Sequence, residues 1–161
     1  MTEARDTIRI LGSPGRAAGA TAPVIVVGLD GSPASWDAFS WAAGEAVRAG
    51  GSLLAVYVTP VVEPVAAVGV YFDYAAAEQA RQDVAAELAG EAAQRAGELG
   101  VPLSFVREPG DTAHVLTSVA RSAGADLVVV GRSAKLRHHV AGSLGRRLVC
   151  RHDAPVIVVV P

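Results

Sequence analysis

The chain has 161 residues, 51% of them hydrophobic and 19% charged, with a formal charge of −2 at pH 7. These values describe one globular, alanine-rich domain with room for a real core. Two Trp, three Tyr and three Phe leave little surface for stacking bases, and the single cysteine, Cys150, excludes an internal disulfide.

Residues 1–22 are rich in Gly, Ala, Pro and Arg and hold no apolar run resembling a signal peptide. We read them as a flexible N-terminal tail and residues 23–161 as a single domain. The first element is VIVVGL (24–29), a β-branched run that ends at Asp30-Gly31-Ser32. Continuous apolarity implies burial on both faces, as in a parallel strand. Ser32-Pro33 is a helix start, because the fixed φ and missing N–H of proline suit a first turn. The helix Pro33–Ala49 places Trp36, Phe39, Ala43, Ala46 and Val47 on one stripe and stops at Gly50-Gly51. SLLAVYV (52–58) is the second strand.

Residues 59–73 form an apolar, irregular connection, too short and too broken by Pro60, Glu63 and Pro64 to span a bilayer. A long helix from Tyr74 to Leu99 stops at Gly100, and VPLSFVRE (101–108) is the third strand. Asp111 is an N-cap for the next helix, which stops near Gly124. DLVVV (126–130) is the fourth strand. A helix over about 143–152 and a fifth strand, VIVVV (156–160), complete the order. Strands alternating with helices mean an α/β fold, a parallel sheet covered on both faces. Such sheets bind ligands at the carboxyl ends of the strands, where the strand order reverses.

The chemistry concentrates between Val129 and Val160. Gly131 ends the fourth strand, and Gly142-Ser143 precedes a helix. Glycines let a backbone approach an anion, and the free N–H groups and dipole of a helix start favour it. Arg132, Lys135, Arg137, Arg146, Arg147 and Arg151 fall between Gly131 and His152 with no acidic residue, so the rest of the chain carries −2 − 6 = −8. A basic patch on an acidic protein points to a local anionic ligand rather than to nucleic acid. Each signal also has a plain structural reading. Asp30 suits a turn, Gly131 a tight strand–loop junction, Ser143 an N-cap, and Arg146 and Arg147 a solvated surface. Arg137-His138-His139 reads as a basic loop, not as a metal site. No P-loop, dinucleotide fingerprint or nucleophile elbow occurs. No matched acid and base is seen, so no catalytic residue is expected.

VIVVGLDGSPAS, LLAVYV, PGDTAHVLTSVARSAGADLVVVGRS and GSLGRRLVCRHDAPVIVVVP together resemble the universal stress protein family, over nearly all of 23–160. The resemblance implies a doubly wound five-stranded parallel sheet of strand order 3-2-1-4-5, with helices on both faces. It implies a stress-response regulator that binds an adenine nucleotide (ATP, ADP or AMP), with or without Mg, at the C-terminal ends of strands 1 and 4. Asp30 would meet the ribose or adenine side, and Val58 would offer backbone groups to the adenine. Val130 and Gly131 would line the sugar and phosphates, and Gly142, Ser143 and Leu144 would present N–H groups to phosphate. ATP-binding members share Gly, two residues, Gly, nine residues, then Gly followed by Ser or Thr. Here Gly131 and Gly142-Ser143 match the ends, Ala134 takes the middle glycine, and seven residues separate Ala134 from Gly142. That departure keeps a second reading open, an ATP-independent dimeric interaction module. Either reading implies a homodimer through the C-terminal strand, unidentified protein partners, a cytoplasmic location, no membrane association and at most a weak ATPase.

Overall fold

The structure, a computed structural model, describes residues 22–61, 74–132, 147–148 and 155–161. The elements are β1 (Val24–Gly28), α1 (Pro33–Ala49), β2 (Ser52–Thr59), α2 (Tyr74–Glu98), β3 (Leu103–Pro109), α3 (Thr112–Ala123), β4 (Leu127–Gly131) and β5 (Val156–Val160). All four ladders are parallel, and the strand order is β3-β2-β1-β4-β5, as expected. The tail 1–22, apart from residue 22, lies outside the described residues, as does most of the expected helix over 143–152. Arg147 and Leu148 are helical.

Two strands start later than the apolar runs suggest, for a local reason in each case. Asp126 precedes β4 because it clasps β1: its carboxylate accepts the Val24 N–H at 3.0 Å, and its own N–H donates to the Val24 carbonyl at 2.9 Å. Val101 and Pro102 precede β3, where the Pro102 carbonyl accepts the Leu53 N–H at 2.9 Å.

Strand alternation builds two cores from one sheet. On one face Ile25, Val27, Leu53 and Phe105 meet α1 and α2 through Phe39, Ala42, Ala43, Leu88 and Ala92. On the other face Val26, Leu54, Val56, Val128 and Val130 meet α3 and the C-terminal segment through Val115, Leu116, Ala120 and Leu148. The stripe on α1 needs one correction. Val47 is 52% exposed, and the buried line runs through Ala38, Phe39, Ala42, Ala43 and Ala46. Val47 sits one residue, about 100° of helix rotation, past Ala46 and faces solvent. Arg95 of α2 stacks on the Trp36 ring at 4.3 Å and ties the two helices together.

Helix α2 packs through Ala85, Leu88, Ala89, Ala92 and Ala96, one stripe at helical spacing. From Ala75 to Val84 no side chain is buried. That stretch reaches the sheet through Glu78, whose carboxylate accepts from Arg107 Nη2 of β3 at 2.7 Å. The Arg107 hydrogen bond holds the Glu78 carboxyl below its usual range. A carboxyl lowered in the folded state stabilises above its unfolded pKa and loses that contribution as pH falls through the folded value. Glu78→Gln should therefore melt below wild type at neutral pH, and the gap should narrow as pH falls through the acid range. Parallel thermal melts across that range check it.

Candidate functional site

The order of the sheet places β1 between β2 and β4, and both neighbours outrun it. The β1–β4 ladder stops at Val27↔Val129, while β4 continues against β5 to Gly131↔Val160. The β1–β2 ladder stops at Gly28↔Val56, while β2 continues against β3 to Thr59↔Pro109. The end of β1 is thus a recess at the carboxyl edge of the sheet, walled by β2 and β4. It lies at the point where the strand order reverses.

Asp30 sits on the lip of this recess and is exposed. Its carboxylate Oδ1 accepts the Ser32 N–H at 2.9 Å, the side-chain turn for which aspartate is suited. Its backbone N–H donates to Ser35 Oγ at 3.3 Å, and Ser35 Oγ donates to the Ser32 carbonyl at 2.8 Å. Ser32 caps α1 by accepting the Ser35 N–H at 3.2 Å. The turn and the helix start therefore share one hydrogen-bonded network. Asp30 has the plain structural role foreseen for it, in a position that also faces the recess.

Val58 lies on the β2 wall, half-buried and packed on the α3-side core. Thr59 beyond it is buried, and its carbonyl accepts the Gly110 N–H at 2.9 Å, which fixes the start of α3 to the end of β2. Val130 lies on the β4 wall with its side chain buried, so what it can offer a ligand is backbone.

Gly131 is where β4 passes closest to α1. A methyl group built on it would lie 2.1 Å from the Ala34 carbonyl oxygen and 2.4 Å from its carbon. No real Cβ fits there, so packing alone demands glycine at this position. Arg132 follows, with its N–H on the Val160 carbonyl at 2.8 Å and its side chain exposed.

Gly142, Ser143 and Leu144 lie outside the described residues, as do Lys135, Arg137, Arg146 and Arg151. Arg147 is described, and its Nη2 donates to Asp111 Oδ2 at 2.6 Å. Nothing in the sequence announces that pair, because Asp111 reads there as a cap and Arg147 as an anion-binding or surface cation. Asp111 does cap α3, with Oδ1 accepting the His114 N–H at 3.0 Å. Among the described residues, no group of three His, Cys, Asp or Glu side chains could hold a metal ion. Among the same residues no helix is long and apolar enough to cross a membrane.

A parallel sheet of order 3-2-1-4-5 with a recess at its reversal point defines the doubly wound class of α/β proteins, which hold small ligands at that point. The model of the universal stress protein family matches residues 23–160, and the chain belongs to that family. Solved structures agree on the fold. A universal stress protein family member from Burkholderia pseudomallei is 24% identical, with a TM-score of 0.68 over 89% of this chain and 98% of its own. A universal stress protein in complex with cAMP is 20% identical, with a TM-score of 0.64 over 88% of this chain and 99% of its own. A family member from Arabidopsis thaliana with AMP bound is 18% identical, with a TM-score of 0.62 over 85% of this chain and 91% of its own. No curated protein sequence matches the chain.

Proposed function

We propose that the recess at the end of β1 binds an adenine nucleotide and that the protein is a cytoplasmic stress-response regulator. The observation that carries this reading is the parting of β4 from β1 after Val129, between Asp30 on one lip and Gly131 on the other. The basic run from Arg132 to Arg151 begins at that lip. Two relatives of the same fold were solved with cAMP and with AMP. Asp30 takes the ribose or adenine side, and Val58 and Val130 give backbone groups. Gly131, Gly142, Ser143 and Leu144 form the phosphate end. Mg, where present, is carried on the phosphates and water rather than in a protein cage. The shortened loop around Ala134 favours AMP or ADP over ATP.

Calorimetry with ATP, ADP and AMP tests this, together with the small molecules released when the purified protein is denatured. Asp30→Ala should weaken nucleotide binding about tenfold, the worth of one charge-assisted hydrogen bond, and leave the domain folded. Absence of heat at millimolar nucleotide, with nothing released, rejects the reading.

Should it be rejected, the dimeric interaction module is favoured by β5. This strand is an edge of the sheet, with Val156 63% and Val159 45% exposed. The Arg132 N–H donates to the Val160 carbonyl, so the polar groups of Val160 face β4. Strand alternation then turns those of Ile157 and Val159 outward, ready to pair with a second copy. Val158 packs on the α1-side core, so a charge there would damage the fold as well as the edge. Val159→Pro removes an outward N–H and leaves the β4 ladder intact. Wild type should sediment as a dimer at micromolar concentration and this variant as a monomer. A monomeric wild type rejects the pairing.

A further inference from the structure

Arg147 of the basic run meets Asp111 at the start of α3. The Gly110 N–H on the Thr59 carbonyl fixes the first turn of α3 to the β2 wall. Asp111, the next residue, uses its carboxylate for at least two tasks. One oxygen caps the helix through the His114 N–H, and the other accepts from Arg147 at 2.6 Å. Arg147 is followed by Leu148, which is fully buried in the same core as Val130 of the β4 wall. The pair thus ties the β2 wall to the chain segment that follows the β4 wall. Its side chains are 58% and 46% exposed. An exposed ion pair is weak and open to exchange. Arginine meets phosphate oxygens in the same forked geometry it uses for a carboxylate.

We propose that Asp111 is a positioning residue that sets the phosphate preference of the recess by holding Arg147. The carboxylate and a nucleotide phosphate compete for one guanidinium. While Asp111 holds it, an added phosphate on the ligand gains little. Without that charge, Arg147 turns to the phosphate chain and favours the longer one. The inference rests on the nucleotide reading of the recess and adds what grades its ligands.

Asp111→Asn separates the two tasks, because asparagine caps a helix as well as aspartate but carries no charge. Affinities for adenosine, AMP and ATP are measured by calorimetry in wild type, Asp111→Asn, Arg147→Gln and the double variant. Asp111→Asn should raise the ATP-to-AMP affinity ratio about tenfold, one charge-assisted contact, with adenosine unmoved and the melting temperature close to wild type. The gain should shrink as salt rises and vanish in the double variant. Arg147→Gln alone should leave the ratio near wild type. A ratio unmoved in Asp111→Asn, or a gain that survives in the double variant, overturns the proposal while nucleotide binding by wild type stands. A wild type that binds no nucleotide removes the reading of the recess, and the proposal with it.

Discussion

Gly131→Ala should destabilise the domain by about 3 kcal/mol, the upper end of what overpacking costs. The added methyl would lie 2.1 Å from the Ala34 carbonyl oxygen, 2.4 Å from its carbon and 2.9 Å from the Ser35 nitrogen. All three are backbone atoms of the first turn of α1, so no side chain can rotate away. Either β4 or the start of α1 must move, and the start of α1 is tied into the network of Asp30, Ser32 and Ser35. Ala34→Gly should not rescue the variant, because it leaves those atoms in place. Gly90→Ala on α2 is the control, since nothing lies within 4 Å of its added methyl. It should hold stability or raise it by about 1 kcal/mol, the helix preference of alanine over glycine. Urea denaturation separates the cases, and a wild-type midpoint for Gly131→Ala would refute the close approach.

Leu148→Ala should lose about 3 kcal/mol, within the usual range for a buried leucine cut to alanine. Leu148 has no exposed surface and packs in the core with Val128, Val130 and Leu116. It is the buried anchor of the C-terminal segment among the described residues. The adjacent Arg147→Ala removes only an exposed ion pair and should lose less than about 1 kcal/mol. Two neighbouring substitutions with such different costs make the comparison sharp. Equal losses would mean that Leu148 is not seated as described.

The sheet was legible in the chain because its strands are buried on both faces. VIVVG, LLAV and LVVV are apolar at consecutive positions, which solvated strands cannot be. Glycine and Ser-Pro marked the helix ends because backbone conformation sets them locally. The family resemblance supplied the strand order that periodicity alone does not give. What escaped was contact at a distance in sequence. Gly131 could be read as a ligand glycine, but its packing against Ala34 depends on how β4 crosses α1. Nothing near Asp111 or Arg147 announces their pairing, which spans 36 residues. The same holds for Glu78 and Arg107, 29 residues apart. Val47 failed for a local reason: the face that α1 buries runs through Ala38, Phe39, Ala42, Ala43 and Ala46, and Val47 lies about 100° of helix rotation past Ala46.

The clasp between Val24 and Asp126 has a consequence for synthesis. Its two ends are 102 residues apart, and the strands they join lie side by side at the centre of the sheet. The ribosome makes β1 early and β4 late. At roughly 5–20 residues per second, β1 waits on the order of 5–20 s for that neighbour. β2 arrives first and covers one edge of β1, while the other edge, with Ile25, Val26 and Val27, stays bare. Nascent chains caught in this window expose an apolar strand edge that the finished sheet covers. Factors that shelter emerging polypeptide should engage it after β2 and let go once Val129 has cleared the exit tunnel.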